Sequence, residues 1–405
     1  MTEHPPTPHQ AGGVSRRRLL LGTGAGVVAL GVSGYALGRA DTAPPGAATD
    51  TTAPAPTSAA ERTTGIPTPA VGIHQAGVAA PAVPQSHCLV AIADLDRSAL
   101  SASLAALGDA ICSLTNVTDP VREVTPDGPG DLTVTVGVGP DALASTSRPG
   151  LAAAATLPEF AGDAELTADR CGGDLYISVN ASDPLILEPV LSYLQRRVAG
   201  FHLRWSDLGY RGHGDAGITR NPFGYHDGII IPRTDAELAD DVWIGNGPLT
   251  AGTIAVIRRF QLDTNAFRAH PAARQDAIIG RRRVDGAPLS GGGLIDQIDL
   301  NAKADNGDLL VPARAHARAA HPSFTGSGLM LRRSYSFRNS PADSGHVFIS
   351  FQNDVATFAR TQLRLDDVDD LMQFVTPTAT AAFAILPGMQ SPSGARQALG
   401  TPLFD

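Results

Sequence analysis

The hydrophobic pattern divides the chain into three regions. From Leu19 to Leu37 apolar residues run almost unbroken, from 41 to 65 large apolar side chains nearly vanish, and beyond that they recur with regular periods. The segments Leu89–Asp94 (LVAIAD), Leu132–Val138 (LTVTVGV) and Asp174–Asn180 (DLYISVN) alternate or run apolar with β-branched residues, as strands do. Gly252–Leu262 and His346–Gln352 are further strands by the same criterion. Leu187, Val190, Leu191, Leu194 and Val198 instead fall at helical spacing and give one apolar face. Pro189 belongs in the first turn of that helix, where a missing N–H is tolerated. Strands and helices interleave with short connections, which predicts an α+β fold of two similar halves split near residue 222. The chain has 405 residues, 43% of them hydrophobic, enough for one large core or two ordinary ones.

The first region reads as an address rather than as fold. Ser15-Arg16-Arg17-Arg18-Leu19-Leu20 precedes an apolar run that contains Gly22, Gly24, Gly26, Gly31 and Gly34. Paired arginines before a weakly hydrophobic, glycine-rich run are the twin-arginine export pattern, and such a run makes a poor membrane helix. Residues 1–40 are therefore expected to be a signal peptide, and the protein to lie outside the cytoplasmic membrane. Residues 41–65, rich in Ala, Thr and Pro, are expected to be a disordered linker.

Charge and cysteine content narrow the chemistry. The net charge is −9, and the first forty residues hold four arginines and one glutamate, so the remainder carries −12. Such a body argues against nucleic acid as a partner, because phosphate contacts need clustered Lys and Arg. Cys88, Cys112 and Cys171 are odd in number and widely spaced, with no CxxC pair and no CxxCH. They are expected to be buried thiols, with one disulfide as the alternative.

Three segments carry candidate chemistry. In Thr219–Gly228 (TRNPFGYHDG), Asp227 is bracketed by Gly224 and Gly228, which lets backbone approach a flat ligand while one carboxylate projects at it. Alone, such a string is usually a turn. In Pro312–Pro322 (PARAHARAAHP), His316 or His321 is a candidate metal ligand, with Arg314 and Arg318 nearby to meet acidic groups. In Met330–Phe337 (MLRRSYSF), alternation predicts a strand presenting Arg332 on one face. Each of these residues, taken singly, is more often a structural or solvated side chain. Ser290–Gly293 and Gly212–Gly217 are glycine-rich, but neither gives GxGxxG after a strand, so a dinucleotide site is discounted.

Taken together, the three segments resemble the dye-decolorizing peroxidase family. Gly72–Gly77 (GIHQAG), Gly172–Leu175 with Ala181–Pro184, and Ile279–Arg281 with Gly286–Leu289 extend the resemblance over roughly residues 66–375. It implies two ferredoxin-like domains in a dimeric α/β barrel-like arrangement, here 66–222 and 223–405, with haem b bound noncovalently in the C-terminal half. It implies a haem peroxidase that uses hydrogen peroxide to oxidise dyes, phenols or other small reductants. The alternative is an exported haem protein of iron or haem acquisition or metal handling. The family's GxxDG signature maps to Gly224, Asp227 and Gly228, its axial ligand to His316, and its distal arginine to Arg332, with Arg333 as the other register. Asp227 is then the catalytic proton shuttle and Arg332 the electrostatic stabiliser. Arg318 is assigned to the haem's acidic groups, and Asp354 to the second ring nitrogen of His316. Two departures from the family pattern stand beside these: His226 where a basic residue usually precedes the signature Asp, and Ser334 where some relatives have Asn.

Overall fold

The computed structural model describes residues 65–404, except Glu165, His213, Asp215, Ala216 and Pro392. The expected signal peptide, and the linker as far as residue 64, lie outside the described residues. The described residues fall within one compact unit.

The chain traces the same path twice. The first pass runs β1 (His87–Asp94), α1 (Leu100–Leu114), β2 (Thr133–Val138), β3 (Leu175–Ala181), α2 (Leu187–Gln195) and β4 (His202–Tyr210). The second runs β5 (Thr253–Leu262), α3 (Ala272–Ile279), β6 (Leu331–Arg332 and, after a break, Tyr335–Arg338), β7 (Ser344–Gln352), α4 (Val355–Val368) and β8 (Val375–Ile385). Each half is a ferredoxin-like βαββαβ unit, with its first strand between its third and its fourth. All the pairings are antiparallel, in the order β5-β8-β2-β3-β1-β4-β6-β7, and β7 pairs back onto β5 to close a barrel. Within each half the ladders are long, but the seams are short. Ala384↔Val138 and Ile385↔Gly137 form one seam, and Tyr210↔Ser336 the other.

Alternation along the strands sorts side chains to the two faces of the barrel wall. Val90, Ile92, Tyr176, Trp205, Ile257 and Phe351 point inward into one shared core. Outside the first half, Leu89, Ala91, Val136 and Val179 pack against α1, whose Leu100, Leu104, Leu107, Ile111 and Leu114 recur every three or four residues. Outside the second half, Val256 and Ala382 meet Phe358 of α4, with Phe160 edge-on to it. The five strands expected from hydrophobic periodicity form, the strand expected over Met330–Phe337 is broken between Arg332 and Tyr335, and Pro189 does sit in the first turn of α2. The three cysteines are free thiols, and Cys88 is buried.

Candidate active site

On the outer face of the second half, the chain between β4 and β5 makes a small ribbon in which Thr219–Arg220 pairs with His226–Asp227. The turn that joins its strands depends on Asn221, whose side-chain oxygen accepts the Phe223 and Tyr225 N–H groups, and on Gly224 at φ +91°. Gly228 follows the aspartate at φ +75°. Both glycines adopt the left-handed conformation that other residues reach only with strain. His226 and Asp227 are neighbours with different surroundings. The ring of His226 packs beside Gly286, whereas Asp227 projects into a pocket with Arg332, Ser334, Ser336 and His346. Burial, and then Arg220, holds the pKa of His226 below its ordinary value.

Arg332 arrives from β6. Its guanidinium donates to the Ile230 carbonyl at 3.2 Å and to Asp227 Oδ1 at 3.4 Å. Asp227 Oδ1 also accepts the Gly228 N–H at 2.6 Å, while Oδ2 lies 3.7 Å from Nε2 of His346 on β7. Burial alone would raise the Asp227 pKa, but His346, Arg332 and the Gly228 amide together hold it well below the ordinary carboxylate range. His346 was not singled out in the sequence; its only signal was its place at the start of an alternating strand.

His316 opens a one-turn helix, His316–Ala319, at the end of a long irregular connection. Two buried arginines tie that connection together. Arg281 donates to the carbonyls of Gly286, Leu294 and Asp296, and Arg318 to those of Val311 and Leu300. Arg318 therefore fastens a loop, and its assignment to the acidic groups of a cofactor is corrected: its donors are engaged with backbone and the residue is only 7% exposed.

The second ring nitrogen of His316 also has a different partner from the expected one. Nδ1 bonds Oδ2 of the buried Asp369 at 2.7 Å. Asp354 is instead the N-cap of α4, accepting the Ala356 N–H at 2.9 Å. An aspartate just before a helix is drawn to the unsatisfied amides of the first turn, which is why Asp354 is committed there. Asp370, next to Asp369, pairs with Arg314 and Arg274 and anchors the same segment. Burial opposes charge on His316, but Asp369 outweighs it and the pKa lies above its ordinary value.

Arg333 is the other register, and the structure separates it from Arg332. Consecutive residues of β6 point to opposite faces of the barrel wall, and Arg333 borders an internal cavity with Tyr176 and Tyr335. Trp205 and Tyr335 lie in the barrel core, Tyr210 is exposed, and Trp243 stacks on His74.

The arrangement suits a flat, metal-centred group. The side chain of His316 keeps 39% of its surface free. The charges of Arg332 and Asp227 both act on the imidazole. With Nδ1 held by Asp369, Nε2 is left as the lone-pair donor, with no protein partner among the described residues. An oriented imidazole with a carboxylate behind it is the donor set that haem iron takes.

Comparisons with known proteins agree with this geometry. Residues 75–211 match the family model "Dyp-type peroxidase, N-terminal" and residues 218–390 match "Dyp-type peroxidase, C-terminal". A dye-decolorizing peroxidase of Thermobifida fusca is 33% identical over 281 residues, which cover 64% of this chain and 65% of that protein's length. Ferric DtpA of Streptomyces lividans superposes with a TM-score of 0.75 at 28% identity, over 85% of this chain and 99% of that one. A DyP-type peroxidase of Cellulomonas bogoriensis superposes with a TM-score of 0.72 at 30% identity, over 82% of this chain and 97% of that one. By sequence in both halves and by fold, the chain belongs to the Dyp-type peroxidase family.

Proposed function

We propose that this protein is a haem-dependent peroxidase that uses hydrogen peroxide to oxidise dyes, phenols or other small reductants. The observation that carries the reading is the Asp227–Arg332 pair together with an imidazole oriented by Asp369. Haem b, bound noncovalently through His316 Nε2, supplies the iron at which peroxide is reduced.

The residues divide the remaining work. Asp369 fixes the His316 tautomer and makes the imidazole a stronger donor. Gly228 pins Oδ1 of Asp227, leaving Oδ2 toward His346 to take a proton from peroxide. Beside Arg332 that carboxylate is ionised but a weak base. As the guanidinium turns to negative charge developing on the departing oxygen, Asp227 regains basicity. One arginine thereby couples proton acceptance to charge stabilisation.

The test is reconstitution with haem b, an absorption spectrum, and stopped-flow mixing with peroxide. Asp227→Asn and Arg332→Leu should bind haem normally and react with peroxide about 10²–10⁴-fold more slowly. Asp369→Asn should weaken haem binding about 10–100-fold. Wild-type rates in both of the first two variants would overturn the assignment.

We further propose export through the twin-arginine route, supported by Arg16-Arg17 ahead of the glycine-rich run. Replacing both arginines by lysine should leave the precursor in the cytoplasm; unchanged export would rule the route out.

A further inference from the structure

Among the polar groups of the barrel interior is Arg333. The residue is 5% exposed, and its guanidinium donates to the Pro81 carbonyl. Its Nε is buried with no partner, and no carboxylate pairs with it among the described residues. The other buried arginines are provided for: Arg258 by Asp163, Arg259 by Asp207 and Asp343, and Arg281 and Arg318 by backbone carbonyls.

Beside Arg333 lies a small cavity with room for about one water-sized species, bordered by Tyr176, Ser178 and Asn180 of β3 and by Tyr335 of β6. Burial pulls Arg333 down to about 10, which leaves it charged at neutral pH. Arg211, stacked 5.6 Å from the Tyr335 ring, adds positive charge nearby. The cavity's own acids do not answer it. Burial raises Tyr176 and Tyr335 well above the ordinary phenol value, so both stay neutral. A buried, uncompensated guanidinium is costly, and neutral hydroxyl and amide donors around it are the surroundings of an anion.

We propose that this cavity is a binding site for one monatomic anion, a halide, held by the Arg333 guanidinium with Tyr176, Tyr335 and Asn180. The site stands back to back with the candidate active site. Arg332 and Arg333 are consecutive, and β6 is broken just there, with Arg333 N–H donating to the Ile349 carbonyl. An anion on the inner side fixes the segment from which Arg332 reaches Asp227 on the outer side.

The experiment needs no turnover. Crystals of the full chain soaked in sodium bromide should show an anomalous peak within hydrogen-bonding distance of the Arg333 guanidinium. In solution, the unfolding midpoint should rise with chloride or bromide when gluconate, too large for the cavity, holds ionic strength constant. Arg333→Met should abolish the peak and the anion-specific rise. Should that variant not fold, Tyr335→Phe keeps the charge and should weaken half-saturation several-fold. A cavity holding only water in bromide overturns the site, as does the same anion response in wild type and Arg333→Met. Neither readout depends on haem, so failure here leaves the peroxidase reading standing, and the reverse.

Discussion

At the scale of single residues, the site is governed by what keeps Asp227 ionised. Its carboxyl is held below its unfolded value, so it contributes stability that is present above the unfolded pKa of about 3.9 and lost as pH falls below it. The same shift keeps the proton-accepting form populated in acid. Without Arg332, a main support of that shift, the Asp227 pKa rises toward and past the ordinary value. The acid limb of the peroxide reaction should therefore move to higher pH in Arg332→Leu, measured as rate against pH relative to each protein's own maximum. An acid limb that stays where it is in wild type would show that another group sets it. Residues at this scale were unequally legible. Asp227, Arg332 and His316 lie in local strings whose glycines or alternation mark them. His346 and Asp369 do not, because each meets its partner only through topology: Asp369 lies 53 residues from His316, at the far end of α4. The aspartate chosen in its place, Asp354, is equally acidic and lies at the near end of the same helix. Sequence did not say which end of that helix would face His316.

At the scale of elements, the placement of His316 depends on how α3 ends. Gly280 closes that helix in the left-handed conformation at φ +89°, and a β-carbon there would lie 3.2 Å from Ala315, Ala317 and Val311. Those alanines flank the candidate ligand. Gly280→Ala should therefore cost about 1 kcal/mol or more in denaturant unfolding, from backbone strain alone. It should also disturb the haem absorption spectrum, because the crowding falls on the segment that carries His316. A normal spectrum with a normal denaturation midpoint would remove this helix end from the account. Elements with strict periodicity were readable in advance, and β1, β2, β3, β5, β7 and α2 all appear where the pattern puts them. Val375–Ile385 escaped because its alanines and threonines carry little hydrophobic contrast, although at 11 residues it is the longest strand of the second half and pairs with β5 along its length. His202–Tyr210 escaped for the opposite reason: three of its outward residues, Leu203, Leu208 and Tyr210, are apolar yet exposed.

At the scale of the whole molecule, the two halves are joined less by their seams than by what the barrel encloses. One seam has two paired residues and the other one, whereas Trp205 from the first half and Phe337, Phe351 and Phe383 from the second share a core. Aromatic side chains of that size dominate the energetics of a core, and their burial is lost from both halves together. Unfolding from residue 65 onward should accordingly be one transition. In Trp243→Phe, the fluorescence of Trp205, only 4% exposed, should superpose on the far-ultraviolet circular dichroism through a urea titration. Two separated midpoints would mean that each half holds its structure alone.

The doubled βαββαβ path bears on stoichiometry. In the first copy the outer wall is leucine, valine and alanine packed against α1. In the second, the corresponding wall presents Arg332, Ser334, Ser336 and His346. The fold is symmetric but its cargo space is not. Iron and protein should therefore come out in a ratio of one, with the first copy serving as the dry abutment that lets the second stay open.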